Sequence, residues 1–294
     1  MRRLVICNPA ARAGRGESAV DYVAQLLRGR RLNAEIVAGD GWESARDLAR
    51  QAAAEGYEQV VAAGGDGTVN AVANGLSGAE AALGLLPLGT GNILAHNLGL
   101  ARLSDAVRVL AHGTPRQIDL GYLNDRAFVS IAGVGFDAEI TQNIDAWWQQ
   151  AVGRLAFVGQ ALISRFEQQT HVFRVRLEGE DLTVLEEPMW SVLIMNVPEF
   201  TFKLPLARDA VCDDGWLDVA IFRDSNTVGF LYGITQILGK VADLGDLPGV
   251  SLHRIRSATI ETDPAWLWEV DGDTIGPTPV TIETRHHALK VLTE

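Results

Sequence analysis

The chain has 294 residues, of which 47% are hydrophobic and 21% charged, with a formal net charge of −12. That length supports two ordinary domains with their own cores, so neither disulfides nor a metal is needed for folding. The negative balance excludes nucleic acid as a partner, because its phosphates demand clustered Lys and Arg.

An apolar run over 4–7 predicts a first strand that stops at Asn8-Pro9. Helical spacing over 17–28, with Val20, Val23 and Leu27 on one face, predicts a helix. A strand over 34–37, a helix over 42–55 and a strand over 59–63 follow. The third strand runs into Gly64-Gly65-Asp66-Gly67-Thr68, with a helix expected over 69–76. A fourth strand over 83–86 leads through Pro87-Leu88-Gly89-Thr90-Gly91-Asn92 into another helix. This β-α-β-α order implies an α/β domain whose mostly parallel sheet is covered on both faces.

Near residue 115 the pattern changes. Strands are expected over 116–123 and 127–133, with a turn at Asn124-Asp125. One long helical segment follows, in which Ile140, Ile144, Trp147, Trp148, Leu155, Val158, Leu162 and Phe166 recur at helical spacing. Trp147-Trp148 read as packing residues, with membrane contact as the alternative. Beyond Thr170, strands are expected over 172–177, 190–197, 216–222, 256–261 and 280–284, which points to an antiparallel sheet or sandwich. His286-His287 follow the last of these and read as surface residues. The domain boundary falls near 120. Cys7 and Cys212 sit among apolar neighbours and read as buried thiols of a reducing cytoplasm. No apolar run reaches the ~18 residues of a membrane span.

Gly64-Gly65-Asp66-Gly67-Thr68-Val69-Asn70 closes a strand and opens a helix. Such a turn aims backbone N–H groups and the positive end of a helix at a ligand, which suits phosphate. Its glycines permit close approach and positive φ. Asp66 makes sense orienting the loop or holding a magnesium-bound water. Gly89-Thr90-Gly91-Asn92 occupies the next β-to-α connection, and in a parallel sheet neighbouring loops at the strand carboxyl ends line one crevice. Asn8-Pro9 opens onto the same edge. No Walker A sequence occurs, so nucleotide is held by another arrangement.

GGDGTVNAVANGL and LPLGTGNILAHNLGL resemble the diacylglycerol kinase catalytic-domain family of bacterial lipid kinases. Three later segments agree with it: Gly133-Val134-Gly135-Phe136-Asp137-Ala138, Asp214-Gly215-Trp216-Leu217-Asp218-Val219 and Asp271-Gly272-Asp273. The resemblance implies an α/β nucleotide-binding domain over 1–120 with 285–294 returning to it, and a β-sandwich-like lipid-substrate domain over 121–284. It implies that Asn8, Pro9, Ala10, Ala11, Arg12, Gly64, Gly65, Asp66, Gly67, Thr68, Val69, Asn70, Gly89, Thr90 and Asn92 bind ATP, in a cleft between the domains. It implies a structural Mg2+ on Asp214 with the backbone carbonyls of Val211 and Trp216, an oxygen set that suits a hard cation. The general base it implies is Asp273, with Asp271 as the alternative.

The implied activity is transfer of the γ-phosphoryl group of ATP to a lipid hydroxyl, of diacylglycerol or a related lipid. The protein would act from the cytoplasm with transient contact at the inner membrane face. The chain departs from the family pattern at NPAARAG, at Ala71, at Ile93 and at Asp273, where a Ser, a Glu, an Asp and a Glu are usual. These departures keep two other readings open, a kinase for a soluble metabolite such as NAD and a non-catalytic nucleotide- or lipid-binding protein.

Overall fold

The computed structural model describes residues 1–11, 18–135, 171–200, 204–223, 235–237, 239 and 241–294. Arg12, the expected long helix with Trp147 and Trp148, and Phe136-Asp137-Ala138 lie outside the described residues. The chain divides into two compact units, Met1–Leu120 with Arg285–Glu294, and Gly121–Thr284.

In the first unit, β1 (Arg3–Cys7) is buried at every residue, as a strand covered on both faces must be. After it come α1 (Ala19–Gly29), β2 (Glu35–Ala38), α2 (Trp42–Ala54), β3 (Gln59–Gly64), α3 (Asp66–Leu76) and β4 (Ala82–Pro87). The helices bury small or aliphatic stripes, Ala19, Val23 and Leu27 on α1 and Ala45, Ala49 and Ala52 on α2. Where one helix was expected after β4 there are two, α4 (Ile93–Asn97) and α5 (Leu103–His112), because Gly99 takes a φ of 75° between them. Helix α3 starts at Asp66, three residues earlier than expected, since Thr68 and Val69 already donate to the Gly65 carbonyl. The sheet order β4-β3-β1-β2 is parallel throughout, and Val291 of the final strand pairs in parallel with Leu83 of β4.

The second unit is antiparallel and β-sandwich-like. It takes the end of β5 (Thr114–Leu123), then β6 (Arg126–Phe128), β7 (Ile131–Gly135), β8 (His171–Glu178), β9 (Leu182–Met195), β10 (Glu199–Phe200), β11 (Leu204–Pro205) and β12 (Leu217–Arg223). It continues with β13 (Val250–Ile255), β14 (Ser257–Asp263), β15 (Leu267–Val270), β16 (Asp273–Pro277) and the start of β17 (Val280–Thr293). Strand β8 alternates buried and exposed residues, the period of a half-buried strand. Strand β9 changes partners midway: Leu182–Met189 pairs with β8, and Ser191–Met195 with β7 and β12.

Three expectations change here. The strand expected over 127–133 breaks at Val129 and Ser130, whose N–H groups are bound by the Asp271 carboxylate and not by a neighbouring strand. Strands β13, β15 and β16 were not foreseen. The last strand runs on to Thr293, so His286 and His287 lie inside β17, though both are exposed. Cys7 and Cys212 are buried, and neither is in a disulfide.

Candidate functional site

Because β4, β3 and β1 are adjacent and parallel, their carboxyl ends set three loops side by side. Asn8 donates its N–H to the Ala63 carbonyl, and Leu88 to the Gly64 carbonyl, so the loops leave the sheet in register. In the first, the Asn8 side chain accepts the N–H of Ala10 at 2.9 Å, an Asx turn that leaves Pro9 and Ala10 exposed and Ala11 partly so.

The second and third loops are bound to each other by a carboxylate. Asp66 accepts the N–H of Asn92 at 2.8 Å and that of Ile93 at 2.6 Å, one on each oxygen. It thereby satisfies orphan donors at the start of α4, whose cap residue Asn92 sits at a φ of 49°. Burial pushes the Asp66 carboxyl above its usual range, and the two backbone N–H groups pull the other way. These two hydrogen bonds orient the loops that meet at Asp66. Asn92 completes the knot: its Oδ1 accepts the Gly89 N–H at 3.0 Å and its Nδ2 donates to the Gly89 carbonyl at 2.7 Å.

The glycines of these loops are needed for a reason other than positive φ. None of Gly64, Gly65, Gly67, Gly89 and Gly91 has one; Gly65 sits at −94°. What matters is space: a Cβ on Gly89 would lie 2.5 Å from the Gly65 Cα. The two loops touch backbone to backbone, and Gly67, Gly89 and Thr90 are left exposed.

Thr68 and Val69 are almost wholly buried, and Asn70 has no exposed surface at all. The Asn70 Oδ1 accepts the Trp42 indole N–H at 2.8 Å and an Asn74 N–H at 3.1 Å, which ties the start of α2 to α3. Asn70 braces the loop from beneath. Trp42 was missed by the sequence reading; its one signal was a large aromatic in the first turn of an otherwise polar helix. A cavity of about 690 Å³ lies at the opposite edge of the sheet, among Gly56, Tyr57, Glu58, Ala82, Gln117 and Lys290. It contains none of the three loops, and volume alone does not make it the site.

In the second unit, Asp271 and Asp273 have different surroundings. Asp271 is buried and takes the N–H groups of Val129, Ser130 and Ile131 at 2.9, 2.9 and 3.0 Å. With φ values of 47° and 92°, Asp271 and Gly272 form the two-residue turn between β15 and β16. Asp273, just past the turn, keeps 48% of its side chain exposed and stands 3.4 Å from the Arg126 guanidinium. Burial of its inner side pushes the Asp273 carboxyl above the usual range, and Arg126 draws it back. Arg126 is the second residue that sequence reasoning missed.

Asp214 sits in the turn before β12, where Gly215 has a φ of 79°. One oxygen accepts the Trp216 N–H at 3.0 Å and the other pairs with Arg254. Burial pushes nearby Asp218 up to about 6; Arg254 opposes this, and the carboxylates of Asp214 and Asp209 add to it. Both Asp214 oxygens are thus engaged, and the Asp214 and Asp209 carboxylates act on Asp218 at the start of β12; carboxylate oxygens are the kind of donor a hard divalent cation takes. Among the described residues no helix is long and apolar enough to cross a membrane.

Residues 2–123 match the family model of the diacylglycerol kinase catalytic domain, and residues 130–293 that of the YegS C-terminal NAD kinase beta sandwich-like domain. A Chromohalobacter salexigens protein named "Probable lipid kinase YegS-like" is 31% identical over 242 residues, 81% of this chain and 76% of that one. The diacylglycerol kinase of Bacillus subtilis is 30% identical over 212 residues, 70% of this chain and 67% of that one. A crystal structure described as a diacylglycerol kinase from Bacillus anthracis superposes with a TM-score of 0.73 at 19% identity, covering 100% of this chain and 97% of the other, and so shares the fold.

Proposed function

Since the chain belongs to the family of YegS-like and diacylglycerol-kinase-like lipid kinases, we propose that it transfers the γ-phosphoryl group of ATP to a hydroxyl of diacylglycerol or a related lipid. The observation that carries this reading is the three-loop edge of the first unit, with the Gly65 and Gly89 loops bound together by Asp66 and Asn92.

ATP sets its phosphates against the exposed backbone of Gly67, Gly89 and Thr90, near the amino end of α3, where N–H groups and the helix dipole favour negative charge. ATP is used as its magnesium complex, which neutralises charge on the β- and γ-phosphates. Asp273 takes the proton of the lipid hydroxyl as its oxygen attacks the γ-phosphorus, and ADP leaves. Asp271 holds the turn that carries Asp273. Asp214, with the Val211 and Trp216 carbonyls, would hold a structural Mg2+ that stiffens the turn before β12. The lipid is met by transient contact with the cytoplasmic surface of a membrane.

Two departures from the family pattern bear on the non-catalytic reading. Ala71 and Ile93 are 0% and 6% exposed, so they fill core positions under the loops. A carboxylate there would be buried, and its absence removes no exposed group. The soluble-acceptor reading draws on the NAD-kinase-like description of the second unit's family. One experiment separates the readings: incubation with γ-labelled ATP and magnesium, with a mixed lipid extract in one arm and NAD in the other. Label in a lipid product identified by mass supports the proposal; label in NAD alone, or in neither, overturns it.

A further inference from the structure

Strand β5 carries the chain out of the first unit and β17 brings it back, and within that unit the two meet at a buried carboxylate. Asp119 has no exposed surface. Its Oδ1 lies 2.8 Å from the His286 Nδ1 and accepts the His287 N–H at 2.7 Å. Successive residues of a strand normally project to opposite faces. Here His287 takes a φ of 53°, a strained conformation for a residue with a side chain. The two imidazoles end on one side, stacked with centroids 3.6 Å apart. One ligand atom from each of Asp119, His286 and His287 lies within 4.8 Å of the others.

We propose that Asp119, His286 and His287 bind a divalent transition-metal ion of the zinc class. Two imidazole nitrogens and one carboxylate oxygen suit zinc, whereas magnesium and calcium select oxygen alone. Zinc takes such donors at roughly 2.0–2.2 Å and completes four-coordination with water when three come from protein. Both rings are exposed, so water reaches the fourth position. On binding, His286 presents an Nδ1 lone pair and carries its proton on Nε2, so the 2.8 Å hydrogen bond opens to make room for the ion. The ion ties the outgoing strand to the returning one: Asp119 is the penultimate residue before the boundary at Leu120, and the histidines are the second and third residues after it at Arg285. None of these three residues belongs to the strand-end loops, the Asp271 turn or the Asp214 turn.

The test uses the full chain without a histidine tag, stripped of trace metal and kept in magnesium. It is titrated with Co2+ and then with Zn2+. The expected result is one equivalent of Co2+ with the strong visible bands of a four-coordinate site, displacement by Zn2+, and a higher melting temperature with Zn2+. His286→Gln and His287→Gln, both at exposed positions, should each weaken Zn2+ binding at least about tenfold, the lower bound for losing even a supporting residue of a metal site. Asp119→Asn should do the same; if it fails to fold, the histidine variants carry the test. Absence of the Co2+ bands overturns the proposal. So does unchanged Zn2+ affinity in the double histidine variant or in folded Asp119→Asn.

Discussion

Gly89→Ala and Gly65→Ala test how the strand-end loops are built, because they add the same methyl group to opposite sides of one contact. On Gly89 the new Cβ would stand 2.5 Å from the Gly65 Cα and 3.0 Å from the Asn92 Oδ1. Carbon atoms rest at about 3.5–4.0 Å, so the loops must part by roughly 1 Å or more. They are held together by the Asp66 carboxylate, so this motion strains its two hydrogen bonds to Asn92 and Ile93. Overpacking of this kind costs about 1–3 kcal/mol, and a misplacement of about 1 Å at a reacting group can cost about 100-fold in rate. On Gly65 the Cβ meets the Gly89 Cα at 3.4 Å, close to ordinary contact. Gly89→Ala should therefore lower the melting temperature by several degrees, weaken ATP and reduce turnover by up to about 100-fold. Gly65→Ala should melt like the wild type and lose far less. The assays are thermal melting, ATP titration and labelled-phosphate transfer. Equal damage from both substitutions would refute loop-to-loop packing as the reason for these glycines, and wild-type behaviour of Gly89→Ala would refute the geometry itself.

Asp273→Asn should cut turnover by ~100- to 10,000-fold, the usual contribution of a general base, with ATP affinity nearly unchanged, while Asp273→Glu keeps activity. Asp271→Asn should instead destabilise, by about 1–3 kcal/mol, since it puts an amide donor against three backbone N–H groups; a melt and a rate for each variant tell the two apart. Arg126→Gln should move the acid limb of the kcat profile to higher pH. Burial already raises the Asp273 carboxyl and Arg126 lowers it, so loss of the guanidinium lets it rise further and the ionised base appears only at higher pH; an unmoved limb would detach Asp273 from the profile. Asp214→Ala should abolish the rise in melting temperature on adding magnesium after EDTA, and a wild-type response to both would remove Asp214 as a ligand.

The chain order of strands and helices in the first unit was legible because its signals are local. Glycines and asparagines at strand-to-helix junctions mark the loops, and helical stripes such as Val23 and Leu27 mark the covering layer. Partnerships at a distance were not legible. Asp66 acts on residues 26 and 27 positions away and Trp42 on one 28 away. Asp271 holds a turn some 140 positions back. For the two aspartates sequence showed a polar residue in a turn, and for Trp42 an aromatic at a helix start; only the fold shows which group each serves. The positive φ of His287 was not legible either, because histidine adopts it more often than most residues but still rarely. Strands β15 and β16 were hidden because they are short and joined by Asp271-Gly272, a dipeptide whose carboxylate drew a chemical reading first.

Strand β4 has β3 as its parallel neighbour on one side and β17 on the other, where Leu289, Val291 and Leu292 are buried in the first unit. During synthesis that second neighbour is made long after the first. The first 120 residues emerge with β4 as an unfinished edge, and the ribosome must then make roughly 160 more before the strand that covers it exists. At ~5–20 residues per second, that wait is on the order of ten to thirty seconds. An edge of Leu83, Leu85 and Leu86 left bare for so long is a site for pairing with the wrong chain. Loss of the β17 segment from Leu289 to Leu292 would make this nascent condition permanent, so its deletion should send the protein into aggregates even though it removes nothing from the three strand-end loops.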